Sequence, residues 1–175
     1  LINTSDLLIP GKVSVLDLSN SYTVQVNNIV IAYLLRKIFD QKIKNPDLPP
    51  TIIVIEEAHT FVSKDNAAKM EALLDRLREV TRRGRKRWLG LCFISQQPSH
   101  LPEEIFELCN TKIIHQTTGS RNLNALKISG GNVNEAIWDD VPVLGQGRSI
   151  IISPQFQHPI MTNMRICKTN REHTD

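Results

Sequence analysis

Two short apolar runs alternate with helical patterns in the middle of the chain, and each run leads directly into polar residues. The first run, Thr51–Ile55, ends in four β-branched residues, and the second, Trp88–Ile94, reads WLGLCFI. Their length and composition predict strands that are buried on both faces, as in a parallel sheet covered by helices. Between them, Ala67–Val80 has apolar residues at helical spacing. This order predicts an α/β fold with a mainly parallel sheet flanked by helices.

Similar patterns predict further elements on both sides of this central unit. In chain order they are a strand at Lys12–Leu18, a long helix at Val24–Lys44, a short helix at Pro102–Cys109, a strand at Thr111–Gln116, a helix at Arg121–Ser129, a helical turn at Asn134–Asp139, and a terminal antiparallel pair at Arg148–Ile152 and Ile160–Ile166. The long helix is expected to use one apolar face made of Val26, Ile29, Val30, Tyr33, Leu34, Lys37 and Ile38.

Polar side chains stand at the ends of both central strands. Glu56 and Glu57 follow the first strand, and Ser95 and Gln96 follow the second. In open α/β sheets, ligands bind beyond the carboxyl ends of the strands, so Glu56 and Glu57 would emerge where a nucleotide or metal could lie. Adjacent carboxylates repel each other unless a cation or water separates them. The alternative is a strand that simply ends in solvated acids.

A dense basic segment follows the central helix. Arg82–Arg87 reads RRGRKR, with five positive charges in six residues, and Gly84 is predicted to cap the helix. Glu79 stands four residues before Arg83, an orientation that favours an ion pair on the helix surface. The formal net charge is only +3. The clustering of positive charge at Arg82–Arg87 therefore indicates DNA binding more strongly than the net charge of the chain does.

Composition excludes several classes of protein. With 175 residues, 41% of them hydrophobic, the chain is long enough for a sizeable core. Its three cysteines lack CxxC spacing, so we expect a reducing compartment rather than a disulfide framework or a zinc site. No apolar run reaches membrane-spanning length. A cytoplasmic protein without a membrane partner is expected.

Five segments together resemble the RecA-like core of the HerA/FtsK group of P-loop ATPases, and HerA more closely than FtsK. The segments are TIIVIEEAH at Thr51–His59, similar to a Walker B strand, GRK at Gly84–Lys86, similar to the family's arginine segment, FISQQPS at Phe93–Ser99, similar to its sensor strand, and HQTTGSRN at His115–Asn122 and VPVLGQGRSIIIS at Val141–Ser153, similar to its closing strands. The resemblance implies a RecA-like P-loop NTPase fold with antiparallel strands at about 141–170.

A Walker A loop is the feature that this sequence lacks. Such a loop needs Gly, four residues, then Gly-Lys-Ser/Thr, whereas the only Gly-Lys pair, Gly11-Lys12, is followed by Val13 and has Asp6 at the position of the first glycine. We therefore expect residues 1–175 to be the C-terminal part of an ATPase domain whose Walker A portion lies upstream. The fragment alone is expected to be inactive.

The resemblance also implies roles for the polar residues at the strand ends, with ATP and Mg²⁺ as cofactors. Glu56 would hold Mg²⁺ through water, and Glu57 would contribute to the metal site and orient or deprotonate the attacking water. Most relatives have aspartate at the position of Glu56, which is one methylene longer. Gln96 would donate to the γ-phosphate or the water, unless it only bonds its own loop. His59 is expected to cap or pack beside the acids.

Four arginines are candidates for contacts with nucleotide. Arg82 and Arg85 could reach the nucleotide of a neighbouring subunit, because ring ATPases stabilise the transition state with such arginines. Arg121 and Arg148 match family arginines near the subunit interface. For Arg121 and Arg148, an ordinary surface ion pair is the alternative. For Arg82 and Arg85, the alternatives are a sensor within the same subunit, a DNA contact or plain surface charge.

The leading hypothesis is an ATP-driven DNA translocase or helicase of HerA type. The resemblance implies a homo-hexameric ring that resects DNA double-strand breaks with a NurA-type nuclease. A conjugation or DNA-packaging pump would share the same core. A metal-dependent nuclease is disfavoured because Ala58-His59 follows the acids where such nucleases usually have a lysine. A non-catalytic DNA-binding or assembly lobe is the remaining alternative, and an upstream Walker A loop would argue against it.

Overall fold

The chain folds into two compact units, Leu1–Leu108 and Cys109–Asp175. The structure is a computed structural model, and it describes residues 4, 6–18, 23–64, 70–131 and 133–169. None of the helices in these ranges is long and apolar enough to cross a membrane.

The first unit combines a parallel pair of strands with four α-helices. Its elements are α1 (Val24–Lys44), β1 (Thr51–Ile55), α2 (Ala58–Phe61), α3 (Glu71–Gly84), β2 (Leu89–Phe93) and α4 (Glu103–Leu108). β1 pairs with β2 in parallel, from Thr51 opposite Leu89 to Ile55 opposite Phe93. The predicted strand, helix and strand at the centre of the chain are therefore confirmed. The predicted start of α3 at Ala67 lies outside the described residues.

One face of the β1–β2 sheet packs against the core and the other does not. Ile55 is buried in a cluster with residues of α1 and α3, including Leu35 and Leu77. The alternate side chains Ile52 and Val54 are 72% and 55% exposed. The prediction that these strands are buried on both faces was wrong, because α1 and α3 of this unit pack on the Ile55 side only.

The buried face of α1 also differs from the predicted one. Thr23 begins the helix, and its side-chain oxygen accepts a hydrogen bond from Val26 N at 3.2 Å. The buried positions are Asn27, Asn28, Leu35, Ile38, Phe39 and Lys42. By contrast, Val26, Ile29 and Tyr33 are exposed. The helix has apolar residues on more than one side, and its contact with α3 decides which side enters the core.

The predicted strand at Lys12–Leu18 is absent. These residues have no strand structure, and Val13 and Val15 are 92% and 86% exposed. A strand requires a neighbour that satisfies its backbone groups. Within the described ranges, the segment has no paired strand.

The basic segment continues α3 as a helical turn. Gly84 has right-handed dihedral angles (φ −65°), and a 3₁₀ turn, Arg85–Arg87, follows it. The left-handed residue is Trp88 (φ 52°), so the prediction of a glycine cap was wrong. A Cβ atom on Gly84 would lie 2.7 Å from the carbonyl oxygen of Leu89. Glycine is therefore required at this position by the close approach of β2 to the end of α3.

The second unit is an antiparallel three-stranded sheet with two short helices. Its elements are β3 (Lys112–Ile114), α5 (Ser120–Ser129), α6 (Ala136–Asp140), β4 (Arg148–Ile152) and β5 (Ile160–Asn163), and the strand order is β3-β4-β5. The predicted terminal antiparallel pair is confirmed. Trp138 and Ile150 are buried in this unit.

Candidate functional site

The parallel register brings the ends of β1 and β2 to the same edge of the sheet. Beyond the last paired residues, Ile94 N donates to Ile55 O and Ala58 N donates to Ile94 O, both at 2.9 Å. This backbone contact holds the two polar segments next to each other. Glu57 and Gln96, which are far apart in the sequence, therefore meet.

The backbone of Glu57 has a left-handed conformation, with φ 49° and ψ 42°. Its carbonyl oxygen accepts hydrogen bonds from Thr60 N at 2.8 Å and from Thr60 Oγ1 at 2.9 Å. A non-glycine residue in this region costs on the order of 1–3 kcal/mol, and such strain is concentrated at functional sites. The sharp turn directs the chain from β1 into α2.

Both oxygens of the Glu57 carboxylate have contacts. Gln96 Nε2 donates to Oε1 at 2.9 Å, and His59 Nδ1 lies 3.3 Å from Oε2. The side chain of Glu57 is 40% exposed, whereas that of His59 is 13% exposed. The structure thus brings together Glu57 and Gln96, which the sequence placed at the ends of neighbouring strands, and His59 packs beside Glu57.

Ser95 also belongs to this cluster, and its contact with His59 was not predicted from the sequence. Its hydroxyl oxygen lies 3.1 Å from His59 Nδ1 and accepts a hydrogen bond from Gln97 N, also at 3.1 Å. Its position directly before Gln96, at the end of the neighbouring strand, was the available signal. Gln96 binds the catalytic candidate Glu57 rather than only its own loop.

Glu56 is exposed and has no hydrogen bond or ion pair with any described residue. Carboxylate oxygens suit Mg²⁺, which usually keeps several waters and binds substrate phosphates as well as one or two carboxylates. In the described part of the chain, no group of three or more His, Cys, Asp or Glu residues could hold a metal. The assignment of Glu56 and Glu57 to a magnesium site remains a prediction.

Arg82 and Arg85 lie at the opposite end of the sheet from the acids. Arg82 lies in the last turn of α3 and Arg85 in the 3₁₀ turn that precedes β2, whereas Glu57 and Gln96 follow the ends of the strands. Five paired residues separate these two edges, or roughly 13 Å at about 3.3 Å per residue. Both arginines are exposed, and neither forms an ion pair with a described residue.

Arg83 is engaged on the surface of the first unit. Its guanidinium pairs with Glu79 at 3.0 Å and lies 5.5 Å from the ring centroid of Phe39 on α1. The ion pair predicted from the spacing of Glu79 and Arg83 is confirmed. Arg83 thus has a described partner on the surface of its own unit, unlike Arg82 and Arg85.

Arg121 and Arg148 belong to the second unit. Arg121 is exposed in the first turn of α5, and Arg148 is exposed at the start of β4. The carbonyl oxygen of Arg148 accepts a hydrogen bond from His115 Nδ1 at 3.1 Å. Their assignment to a nucleotide site remains a prediction.

Two solved structures have the same fold as this chain. The genome packaging NTPase B204 of Sulfolobus turreted icosahedral virus 2, in complex with ATP-gammaS, aligns over 95% of this chain and 73% of its own, with a TM-score of 0.70 and 16% identity. VirB4 of Thermoanaerobacter pseudethanolicus aligns over 87% of this chain and 40% of its own, with a TM-score of 0.68 and 19% identity. The chain thus shares the α/β fold of these two proteins, as predicted.

The chain belongs to the family described as "Helicase HerA-like C-terminal", which matches residues 6–137. The DNA double-strand break repair helicase HerA of Saccharolobus solfataricus is 31% identical over 88% of this chain and 31% of its own length. The HerA of Pyrococcus furiosus is 26% identical over 89% of this chain and 33% of its own length. The chain therefore spans about a third of the length of these relatives. The family resemblance inferred from the motifs is confirmed.

Proposed function

We propose that this chain is the C-terminal part of the ATPase domain of a HerA-type DNA translocase or helicase. In this proposal, the protein forms a homo-hexameric ring, uses ATP and Mg²⁺, and resects DNA double-strand breaks with a NurA-type nuclease. Membership of the HerA-like family supports the motor class. The phosphate-binding loop would come from sequence beyond these 175 residues, so the chain by itself should hydrolyse ATP negligibly.

The contact between Gln96 and Glu57 is the observation that carries the proposal. A carboxylate has about four lone-pair positions, so Glu57 can accept from Gln96 and His59 and still orient or deprotonate a water molecule. The Gln96 amide has a second N–H, which is available for the γ-phosphate or for that water. Glu56 would bind a magnesium-bound water. When bound, Mg²⁺ neutralises charge that develops on the phosphate oxygens.

Arg82 and Arg85 are proposed to act on a neighbouring subunit. Their position at the opposite end of the sheet argues against contact with the nucleotide beside Glu57 of the same subunit. Their exposed guanidinium groups are free of described ion pairs and available to another subunit. A guanidinium placed at the transferring phosphate stabilises the charge of the transition state.

The test of the catalytic assignment is Glu57→Gln in the longer protein that carries this sequence. The amide keeps the shape of the side chain but cannot act as a base, so kcat should fall by about 10²-fold or more while ATP still binds. ATPase assays and ATP-binding isotherms would measure both effects. The exposed acid Glu107 on α4 provides the matched control, Glu107→Gln. Hydrolysis within a few-fold of wild type in Glu57→Gln would remove Glu57 from the mechanism.

A conjugation or DNA-packaging pump is the second candidate. The fold of this chain is shared with a protein described as a genome packaging NTPase and with VirB4. The two candidates differ in their output, since end resection needs a nuclease partner. ATP-dependent loss of duplex ends in the presence of a NurA-type nuclease would support the HerA-type function. DNA translocation without any stimulation of that nuclease would favour a pump.

A further inference from the structure

We propose that His59 is a positioning residue for Glu57, and this inference rests on the proposed role of Glu57 in hydrolysis. The left-handed turn at Glu57 sets the direction of its side chain, but the carboxylate is 40% exposed and has few neighbours to restrict it. Gln96 holds one oxygen, Oε1. His59 is the described residue that contacts the other oxygen, Oε2.

Two oxygen atoms lie close to Nδ1 of His59. Nδ1 faces a carboxylate oxygen at 3.3 Å and a hydroxyl oxygen at 3.1 Å. Nδ1 makes its hydrogen bond with the Ser95 hydroxyl oxygen, and the carboxylate oxygen lies beside it as an electrostatic contact. A bare nitrogen lone pair facing the carboxylate would be repelled, whereas a hydrogen on Nδ1 is attracted to both oxygens. The Ser95 hydroxyl oxygen already accepts from Gln97 N, and its position is therefore held by the backbone.

His59 is itself held more firmly than the carboxylate that it contacts. Its side chain is 13% exposed, and its ring meets the edge of the His100 ring with the centroids 6.5 Å apart. Ser95 lies on the other strand end, so His59 links the carboxylate to both segments. With Gln96 on one oxygen and His59 on the other, rotation of the carboxylate is restricted. Reacting groups that are held in one orientation react faster, and small displacements are costly.

The chain offers a matched pair of substitutions. The side-chain nitrogen of asparagine lies at the same number of bonds from the backbone as Nδ1, so His59→Asn keeps a donor near Oε2, whereas His59→Ala removes it. Both substitutions remove the imidazole ring. A difference between the two variants therefore reports the effect of the side-chain N–H alone. His100→Ala removes a neighbouring, exposed imidazole that has no described contact with Glu57.

The first experiment needs no nucleotide. In the 175-residue chain, NMR would follow hydrogen exchange of the Gln96 side-chain amide, which donates to Glu57. We expect faster exchange in His59→Ala, with His59→Asn and His100→Ala close to wild type. Equal exchange in His59→Ala and His59→Asn would overturn the inference, because the donor would then not restrain Glu57.

The second experiment measures ATPase activity in the longer protein. His59→Ala should lower kcat by about tenfold or more with KM for ATP within about twofold, and His59→Asn should restore most of the rate. In a Glu57→Gln background, His59→Ala should have no further effect. If Glu57→Gln abolishes hydrolysis but His59→Ala behaves like His100→Ala, only the inference fails. If Glu57→Gln itself remains active, the proposed role of Glu57 fails together with it.

Discussion

Two residues of the first unit shape the segments on either side of β1. Glu57 has a strained backbone at the end of β1. Lys42 on α1 is 1% exposed, and its ammonium group donates to the carbonyl oxygens of Leu48 at 3.2 Å and Pro49 at 2.5 Å. The loop between α1 and β1 is thus held near its end, just before β1, by a buried lysine.

Replacement of Lys42 by methionine should destabilise the chain. Lys42→Met keeps the length of the side chain but leaves the Leu48 carbonyl oxygen without its donor, which should lower the free energy of unfolding by about 1–3 kcal/mol. Urea denaturation at neutral pH would measure the change. The exposed Lys44 of the same helix is the control, and Lys44→Met should have an effect within about 0.5 kcal/mol. Equal effects at both positions would show that the carbonyl contacts contribute nothing.

Burial lowers the pKa of Lys42 below its ordinary value of 10.5. Between the folded and unfolded pKa values, the unfolded chain binds more protons, so this group makes the free energy of unfolding rise with pH. Its contribution is complete above 10.5 and is lost as the pH falls through the folded pKa. The stability difference between wild type and Lys42→Met should therefore grow as the pH rises towards 10.5. A difference independent of pH would contradict this expectation.

Among the elements, α3 connects the core, the basic segment and β2. Arg78 on its surface pairs with Asp75 at 2.5 Å and with Glu104 of α4. Two hydrogen bonds raise the pKa of Arg78 above its already high ordinary value. The bond to Glu104 has the larger effect, and the bond to Asp75 the smaller one. At its end, Gly84 allows Leu89 of β2 to approach the helix closely. The start of β2 is therefore positioned by the end of α3.

Substitution of Gly84 by alanine should disturb this junction. The new Cβ would lie 2.7 Å from a backbone oxygen, and a backbone cannot move away as a flexible side chain can. Although alanine favours helices, Gly84→Ala should lower the free energy of unfolding by about 1–3 kcal/mol. Gly90→Ala in β2 is the control, because the nearest atom to its Cβ is 3.8 Å away. A neutral Gly84→Ala variant in thermal or urea unfolding would show that the junction has room to relax.

At the scale of the whole molecule, the position of Arg82 and Arg85 bears on assembly. In the proposed ring, their separation from Glu57 along the sheet requires that a complete site combine residues of two subunits. A ring built in this way has composite sites. Each subunit would supply Glu57 and Gln96 to one nucleotide and an arginine to the next.

Mixed rings should recover activity if the arginines act between subunits. Loss of an arginine finger costs on the order of 10³-fold in rate, so Arg82→Ala or Arg85→Ala rings should be nearly inactive, as should Glu57→Gln rings. After subunit exchange, an arginine variant mixed with Glu57→Gln should show ATPase activity above both parents, because some sites then have both functional halves. Arg83→Ala is the control and should stay within about threefold of wild type, because exposed ion pairs contribute little. If subunit exchange is confirmed but ATPase activity does not recover, the composite site is excluded.

The sequence by itself determined the class of fold, the order of the central elements and the identity of the acids and amide at the strand ends. Apolar runs that end in polar residues are local patterns, and residues adjacent to a strand end remain there in any packing of that strand. Glu57 and Gln96 could therefore be predicted before the register was known. The helix Val24–Lys44 was also found from its local pattern.

Only the tertiary structure decided which faces are buried and which side chains touch. α1 has apolar residues on several sides, so its packing against α3 rather than its periodicity selects the buried one. Lys12–Leu18 has a strand-like pattern, but pairing depends on a neighbour that no local pattern can supply. Likewise, the contact between His59 and Ser95 depends on the register of two strands that are distant in the sequence. These outcomes are set by contacts between distant segments, whose energies are absent from any local stretch of residues.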